Sequence, residues 1–257
     1  MLLVKELQMI KKMLKFSWGI IAVCLAITVF FAWQLKNIKI ENTSRTFMPK
    51  DDDSYQFMLQ AEDTFGSMLV LGISLETQDE TILTPAYISI VDKITQKIEK
   101  VEYVESIDSI TNIDFIYGKV NDEGEGSLEA GSLLGDDGEY TGSREDMRLI
   151  KQKIIDWQEM YNRVIVNDSF TATQMLITVT ASDENGDELP AATQRKILSE
   201  VQEICNEELK GSGLEIRYFG DPVMSHDAQD FLISDLRNLI PFVAIIVLAS
   251  LYFSFHT

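Results

Sequence analysis

The sequence predicts an α+β membrane protein in which two transmembrane helices flank a domain on the extracytoplasmic side. Three observations lead to this prediction. Two long runs without charged residues lie at 16–35 and 239–257 of the 257-residue chain, a short lysine-rich terminus precedes the first run, and the segment between the runs repeats a strand–helix–strand pattern. Each run is long enough to cross a hydrocarbon core of about 30 Å as a helix that rises about 1.5 Å per residue.

The charges divide the chain into a small cationic terminus and a large acidic domain. Residues 1–15 carry four lysines and one glutamate, whereas the segment between the runs carries most of the acidic residues behind the net charge of −19. Because Lys and Arg in short loops beside a span stay in the cytoplasm, we expect residues 1–15 to be cytoplasmic and residues 37–238 to be extracytoplasmic. An acidic domain also argues against a nucleic-acid partner, since phosphate binding requires clustered Lys and Arg.

The first run is predicted to be an uncleaved transmembrane helix over residues 16–36. Its apolar stretch exceeds the roughly 7–15 residues of a signal peptide, and its end lacks a small-residue cleavage site. Residues 239–257 are predicted to form the second transmembrane helix, in which Pro241 is tolerated as it is in other membrane helices. The two cysteines, Cys24 in the first run and Cys205 on a predicted apolar helix face, are predicted to be small buried hydrophobic residues rather than a disulfide.

The first part of the domain predicts a short helix and a strand–helix–strand unit. The short helix covers residues 54–64, and Asp53 is expected to cap it, because a carboxylate accepts hydrogen bonds from the free amides of a first turn. An apolar run at 68–75 has the length of a strand. Pro85 then opens a helix whose apolar residues recur every three or four positions, and an alternating strand follows at 103–110.

The same order of elements recurs in the last part of the domain. Residues 173–180 alternate as a strand does, an acidic turn follows, a helix is predicted over 190–210, and a closing strand over 214–219. Two strand–helix–strand units in one domain predict a ferredoxin-like α+β sandwich, which has an antiparallel sheet and both helices on one face.

Between the two units, residues 117–142 are predicted to form a flexible, acidic, glycine-rich insertion. From Gly118 to Gly142 the chain contains seven of its fourteen glycines, seven acidic residues and one lysine. This composition buries too little apolar surface to offset the entropy of ordering. After the insertion, Ser143 is expected to cap a helix whose apolar residues again recur at intervals of three and four and form one buried face: Met147, Ile150, Ile154, Trp157 and Tyr161.

No metal site is predicted, although three acidic segments partly match metal-binding patterns. The triplet Asp51–Asp53 is explained by helix capping, and no second ligand cluster accompanies it. A calcium loop that starts at Asn121 would have Ser132 where a glutamate is required. One that starts at Asp183 would have Glu188 where a glycine is required.

Catalytic chemistry is likewise not predicted, and the chain is not expected to be an enzyme or to bind a cofactor. Of its two histidines, His256 lies at the end of the second run, and His226 is expected to be an exposed residue at the start of a helix. No nucleophile motif accompanies either of them. Two glycosylation sequons, at Asn42 and Asn167, would matter only in a eukaryotic secretory pathway.

A family resemblance rests on the order of several motifs. The stretch Tyr218–Val223 contains a strand and a Gly-x-Pro turn, Asp235 and Leu236 form an Asp-Leu pair in the following helix, and residues 253–255 read Phe-Ser-Phe. Upstream, Met48-Pro49 stands before the acidic triplet, and Asn167-Asp168 stands before the strand at 173. In this order, across most of residues 16–257, the chain resembles the resistance–nodulation–division (RND) superfamily, especially its MMPL-like, hydrophobe-exporter branch.

The resemblance implies the N-terminal portion of a proton-driven exporter of lipids or other hydrophobic compounds in the cell (inner) membrane. Members of the family continue through about twelve spans in two similar halves, and their proton-relay carboxylates lie in later spans. The chain is therefore not expected to transport alone. Its expected partners are the lipid bilayer, a hydrophobic substrate and the remaining spans of a parent transporter. His256 departs from the basic residue that is usual in the family at that position.

Two other classes of function remain open at this point. A two-span sensor would bind a ligand through its external domain, and a membrane-anchored accessory protein would bind a partner through the same acidic surface. The DNA downstream of codon 257 distinguishes the three, because an exporter continues into further spans, a sensor into a soluble signalling domain, and an accessory protein into a stop codon.

Overall fold

The computed structural model describes most of the chain as two separate units. The first unit lies within residues 1–40 and contains one described helix, α1 (Ser17–Gln34). The second unit, within residues 41–257, contains all the other described elements. The described residues are 17–34, 45, 48–120, 126–134, 140–182 and 188–255.

The second unit has six helices and six strands among its described residues. The helices are α2 (Asp53–Phe65), α3 (Pro85–Ile98), α4 (Arg144–Asp156), α5 (Gln158–Tyr161), α6 (Ala191–Glu208) and α7 (Asp221–Phe255). The strands are β1 (Leu69–Glu76), β2 (Val104–Asp108), β3 (Asp114–Val120), β4 (Gly126–Ser132), β5 (Ala172–Val179) and β6 (Glu215–Gly220).

Four of the strands form one antiparallel sheet in the order β2–β5–β1–β6. Helix α3 connects β1 to β2 and helix α6 connects β5 to β6, so both predicted strand–helix–strand units are present. The strands of each unit are separated in the sheet by a strand of the other unit. This interleaving is the split arrangement of ferredoxin-like domains, and the prediction of an α+β fold is confirmed.

The core lies on the face of the sheet that α3 and α6 cover. Because successive side chains of a strand point to opposite faces, alternate residues of the two central strands are fully buried: Leu71, Ile73, Leu75, Met175, Ile177 and Val179. Thr95 of α3 reaches this face, where its hydroxyl lies 3.9 Å from the sulfur of Met175. Cys205 of α6 belongs to the same core, and burial raises the pKa of its thiol to about 12. The prediction of a small buried residue is thus confirmed for Cys205, whereas Cys24 is exposed on α1.

The helix starts follow the capping signals of the sequence, with one correction. Thr84 caps α3 by accepting a hydrogen bond from the Tyr87 N–H at 3.3 Å. The predicted cap of α2, Asp53, is wrong by one residue: Asp52 accepts from the Ser54 N–H at 2.8 Å, and Asp53 is already helical. The physical reason is the extended backbone of Asp52 (φ −79°, ψ 140°), which is the conformation that a capping residue requires.

The glycine-rich insertion contains strand residues that its composition did not predict. Its described strand residues belong to a second, two-stranded sheet, in which β3 pairs with β4 from Asp114–Ser132 to Val120–Gly126. Leu133, directly after β4, is fully buried in the core. Residues 117–120 and 126–132 of the insertion thus lie in strands, because backbone pairing between strands does not depend on apolar composition. The expectation that the insertion is flexible stays a prediction. Residues 121–125 and 135–139 of the insertion lie outside the described residues.

Helix α4 begins at the predicted cap but ends before the predicted face does. The Ser143 hydroxyl accepts from the Asp146 N–H at 3.1 Å, and the Asp146 carboxylate accepts from the Ser143 N–H at 2.9 Å and from the Thr141 hydroxyl at 2.7 Å. The predicted apolar residues within the helix are buried: Met147, Ile150 and Ile154. Because α4 stops at Asp156, Trp157 is 39% exposed rather than buried, while Tyr161 is buried in the separate turn α5.

Replacing Gly220 by alanine is expected to destabilise the second unit strongly. A Cβ at this position would lie 2.2 Å from the carbonyl oxygen of Val70, and the backbone has a φ of +103°. Strain of this kind costs about 1–3 kcal/mol and the backbone clash adds to it, so we expect a loss of at least about 3 kcal/mol in the free energy of unfolding. The matched control is Gly211→Ala, whose φ is +77° but whose Cβ would enter open space; it should cost about 1–2 kcal/mol. Equal losses in urea unfolding would contradict the prediction.

The cap of α4 is expected to depend on pH through Asp146. Hydrogen bonds, first from the Ser143 N–H and then from the Thr141 hydroxyl, lower the pKa of its carboxyl from 3.8 to about 2. Because the folded pKa is the lower one, the stabilisation is present above pH 3.8 and is lost as the pH falls towards 2. The difference in unfolding free energy between the native protein and Asp146→Asn should therefore shrink below pH 4. Ile155→Ala, an uncharged change at an exposed apolar residue of the same helix, should show a constant difference. A constant difference for Asp146→Asn would contradict the prediction.

Candidate functional site

A cavity of about 340 Å³ lies beside the two central strands, on the face of the sheet opposite α3 and α6. Ser74 of β1 and Gln174 of β5 line it and are paired across the two strands. Both alternate with the buried residues of the core, which places them on the uncovered face. Residues 163–168 form the other wall of the cavity. The cavity is therefore a concave site that has the sheet on one side and a loop on the other.

The side chain of Asn167 holds this loop in shape. Its Oδ1 accepts hydrogen bonds from the N–H groups of Thr171 at 2.8 Å and Ala172 at 2.9 Å. Its Nδ2 donates to the hydroxyls of Ser169 and Thr171, both at 2.9 Å. An amide that mimics a backbone turn in this way fixes the chain without a glycine. The same hydrogen bonds occupy the side-chain amide of Asn167, which is the group that would be glycosylated in its sequon. The other sequon, at Asn42, lies outside the described residues.

Two residues of the loop have left-handed backbones although neither is glycine. Arg163 has a φ of 63° and Phe170 a φ of 56°. Such conformations are uncommon for residues with a side chain, and they persist where the surroundings hold them. Lys151 lies 4.9 Å above the ring of Phe170, and Asp168 holds Arg163. Backbone strain of this kind clusters at ligand-binding and catalytic sites, which favours a functional loop.

Arg163 and Asp168 form a paired charge at the rim of the cavity. The guanidinium donates to the carboxylate through Nε at 3.1 Å and 3.2 Å and through Nη2 at 2.6 Å. Arg163, and then Asn162, lowers the pKa of the Asp168 carboxyl, and Asp168 raises the pKa of Arg163. Both groups therefore stay ionised near neutral pH, and together they give the rim no net charge.

An apolar strip lies on the same uncovered face, towards the end of the sheet where α7 begins. Val70 and Leu176 are half-buried there, and Phe219 is 40% exposed. The ring of Phe219 lies across Gly72, where a Cβ would be only 2.1 Å from the ring. Gly72 is thus required for Phe219 to lie flat on the sheet. The uncovered face offers apolar contact surface at one end and a cavity at the other.

Helix α7 follows β6 directly and carries the apolar C-terminal run. Within the part of the chain that the structure describes, it is the one helix long and apolar enough to cross a membrane. It has 35 residues, it includes Pro241, and its apolar part is exposed, as at Phe242 (62%) and Ile245 (65%). In α1, the apolar stretch found among the described residues is Ile21–Phe31, and the first span over residues 16–36 stays a prediction.

His226 lies near the start of a helix, as predicted, but it is only partly exposed rather than exposed. Its side chain is 29% exposed, and its Nδ1 lies 3.6 Å from the carboxylates of both Asp227 and Asp230. Arg195 of α6 lies 3.7 Å from the same Asp230 and donates to Gln229. Helices α6 and α7 contact each other, and this cluster lies where Arg195 meets α7. The cluster joins two helices and contains no nucleophile.

The acidic segments that partly match metal-binding patterns do not come together in the described structure. No group of three His, Cys, Asp or Glu side chains there is placed to hold a metal ion. Of the triplet Asp51–Asp53, Asp52 serves as the cap of α2. The two calcium-loop patterns considered in the sequence, which start at Asn121 and Asp183, begin outside the described residues.

Sequence reasoning missed the cavity, which is the main concave feature that the structure adds. Its walls come from two strands and a loop that are distant in sequence, so no local motif marks it. One signal was available: Asn167 followed by Asp168 and Ser169 is typical of a side-chain-stabilised turn. That signal predicts a built loop, but not the pocket that the loop encloses.

Comparison with known proteins does not assign the chain to a family. No protein-family model matches the sequence, and no curated protein matches it significantly.

Replacing Asn167 by alanine is expected to loosen the cavity wall. The change removes four hydrogen bonds and leaves the N–H groups of Thr171 and Ala172 without their acceptor. Unpaired donors of this kind cost about 1–3 kcal/mol, and the amide protons of both residues should exchange faster with solvent. Asn167→Asp keeps the acceptor oxygen and should retain slow exchange at both amides. If the alanine and aspartate variants exchange equally, Asn167 does not hold the loop.

Proposed function

We propose that the chain is the N-terminal portion of a proton-driven exporter of lipids or other hydrophobic compounds, of the RND/MMPL type. The observation that carries this proposal is α7, which joins the last strand of the α+β domain directly to an exposed apolar stretch of membrane-spanning length. A domain attached in this way stands at the surface of a bilayer. The order of sequence motifs around Gly220-Asp221-Pro222, where β6 passes into α7, further supports the proposal through the resemblance to this family.

In this proposal the chain spans the cell membrane twice and places its domain outside. Residues 16–36 and 239–257 are the two spans, residues 1–15 are cytoplasmic, and residues 37–238 form the extracytoplasmic domain. The lysines of the short terminus support this orientation. The absence of Asp, Glu, Lys and Arg from both runs means that proton coupling requires carboxylates in further spans of a parent transporter.

The uncovered face of the sheet is the part of the domain that fits a hydrophobic substrate. Val70, Leu176 and Phe219 give an apolar surface near the start of α7, and the cavity lies further along the same face. An apolar molecule that leaves the bilayer finds favourable contacts along this strip.

A second candidate function is a membrane-anchored sensor or accessory protein that binds a small ligand or a partner. The cavity favours it, because a pocket with a built wall is what a ligand-binding domain requires. The two candidates predict different coding sequence downstream of residue 257. Further spans with a buried carboxylate support the exporter, and a soluble signalling domain supports the sensor.

Export is tested in cells that carry the complete gene. Deleting the gene should raise the accumulation of a lipophilic fluorescent dye, and restoring the gene should lower it again. A protonophore should raise accumulation in the complemented cells to the level of the deletion strain, because export would depend on the proton gradient. The matched variant Leu248→Arg places a charge in the proposed second span, where it costs about 2.5–3.5 kcal/mol, and should not complement. Equal dye accumulation with and without the gene, across lipid-like dyes, would contradict the proposal.

A further inference from the structure

We propose that the cavity between Ser74, Ala172 and the loop 163–168 binds the uncharged end of an amphiphile: a short alkyl chain that carries a hydroxyl group. The Arg163–Asp168 pair at the rim disfavours molecules whose end is a carboxylate or an ammonium, because such an end has to compete with a charge that is already paired. This inference rests on the proposed exporter function only for the source of the ligand.

The first argument is that most polar groups of the cavity are already paired. The Thr173 hydroxyl donates to the Ile165 carbonyl at 2.8 Å, and the Gln174 amide nitrogen donates to the Val164 carbonyl. The amide of Asn167 makes four hydrogen bonds within its own loop. A ligand that needed these groups would have to break existing bonds, and a broken buried bond is costly.

The second argument concerns charge. Arg163 is the cationic residue among those that line the cavity, and its guanidinium is held by three contacts of 2.6–3.2 Å to Asp168. A carboxylate ligand would have to displace Asp168, which would then lose its partner. An ammonium ligand would have to displace Arg163 in the same way. The displaced partner would return to solvent, because the Arg163 side chain is 77% and the Asp168 side chain 55% exposed. A charged ligand therefore replaces an ion pair that is already made and binds more weakly than an uncharged one.

The third argument concerns the groups of the cavity that a ligand can still contact. Val164 is 40% exposed and Ala172 is half-buried, and both line the cavity. The side chains of Ile165 and Val166, which follow Val164 in the same wall, belong to the buried core behind it. Beside these apolar groups, the Ser74 hydroxyl has no hydrogen-bond partner among the described residues and is half-buried. A pocket with apolar walls and one free hydroxyl recognises an alkyl chain that ends in a group able to exchange one hydrogen bond.

The size of the cavity agrees with a short chain. A six-carbon alcohol has seven heavy atoms, which require roughly 200 Å³ at the ~30 Å³ that a water molecule occupies in the liquid. The cavity volume of about 340 Å³ admits such a chain with space for some solvent.

The test uses the full chain in nanodiscs of a neutral lipid, with methyl-labelled alanine and valine observed by NMR. Titration with 1-hexanol at pH 7 should shift the methyl signals of Val164 and Ala172 to saturation. The methyl groups of Val91, in the core on the other face of the sheet, should not move. Hexanoate and hexylammonium should bind at least about tenfold more weakly than hexanol, a ratio that corresponds to about 1.4 kcal/mol. Empty nanodiscs correct for the alcohol that partitions into lipid.

The variant Asp168→Asn supplies the sharper test, because it frees Arg163 without removing it. Asp168 is 55% exposed, so the domain should still fold. Hexanoate should then bind about tenfold more tightly than it binds the native protein, while hexanol binding should stay the same. As a second variant, Ala172→Leu fills the cavity and should abolish the hexanol shifts at Val164.

Three results would overturn the inference: no saturable shift with hexanol, equal binding of hexanoate and hexanol to the native protein, or no gain for hexanoate in Asp168→Asn. Failure of the proposed exporter function would give a different pattern of results from failure of this inference. If cells show no gene-dependent export but the isolated chain binds hexanol selectively, the cavity inference stands and the ligand has another source.

Discussion

The antiparallel pairing of β1 with β5 is the constraint on which the rest of the structure depends. The eight paired positions set which residues of both strands face α3 and α6 and which face the open side. A shift of one residue would exchange the two sets, and the apolar core would then lie in solvent. The same register places Ser74 beside Gln174 and so builds the floor of the cavity. Fold and candidate site therefore follow from a single alignment of two strands.

Much of this fold was predictable from the sequence, because the signals that specify it are local. Alternation marked β5, the three- and four-residue spacing marked α3, and Thr84 with Pro85 marked its start. The hairpin of β3 and β4 was not predictable in the same way. Its strands contain glycines and charged residues, and their pairing is held by the backbone and by the burial of Leu133 at its base. Amino-acid composition predicts neither the backbone pairing nor the burial of Leu133.

The candidate site was predictable only in part, for a related reason. The Asn167 turn has a recognisable sequence, whereas the cavity requires a loop, a strand and a neighbouring strand that meet only after folding. The Arg163–Asp168 pair spans five residues, yet its effect on the pocket depends on where the loop lies over the sheet. The charge excess of the domain also concealed this locally neutral rim. Net charge described the domain as a whole and not the surface that a ligand would meet.

Helix α7 has one further consequence, which concerns its stiffness. A helix of 35 residues extends about 52 Å at ~1.5 Å per residue, and a helix of this length with unbroken hydrogen bonds would turn as one rod. Proline has no N–H to donate, so Pro241 leaves the carbonyl of Arg237 without its usual partner inside the helix. The rod is softest there, where the polar part gives way to the apolar part. The sheet and the apolar segment can thus tilt relative to each other by bending at that joint, with every strand pairing intact.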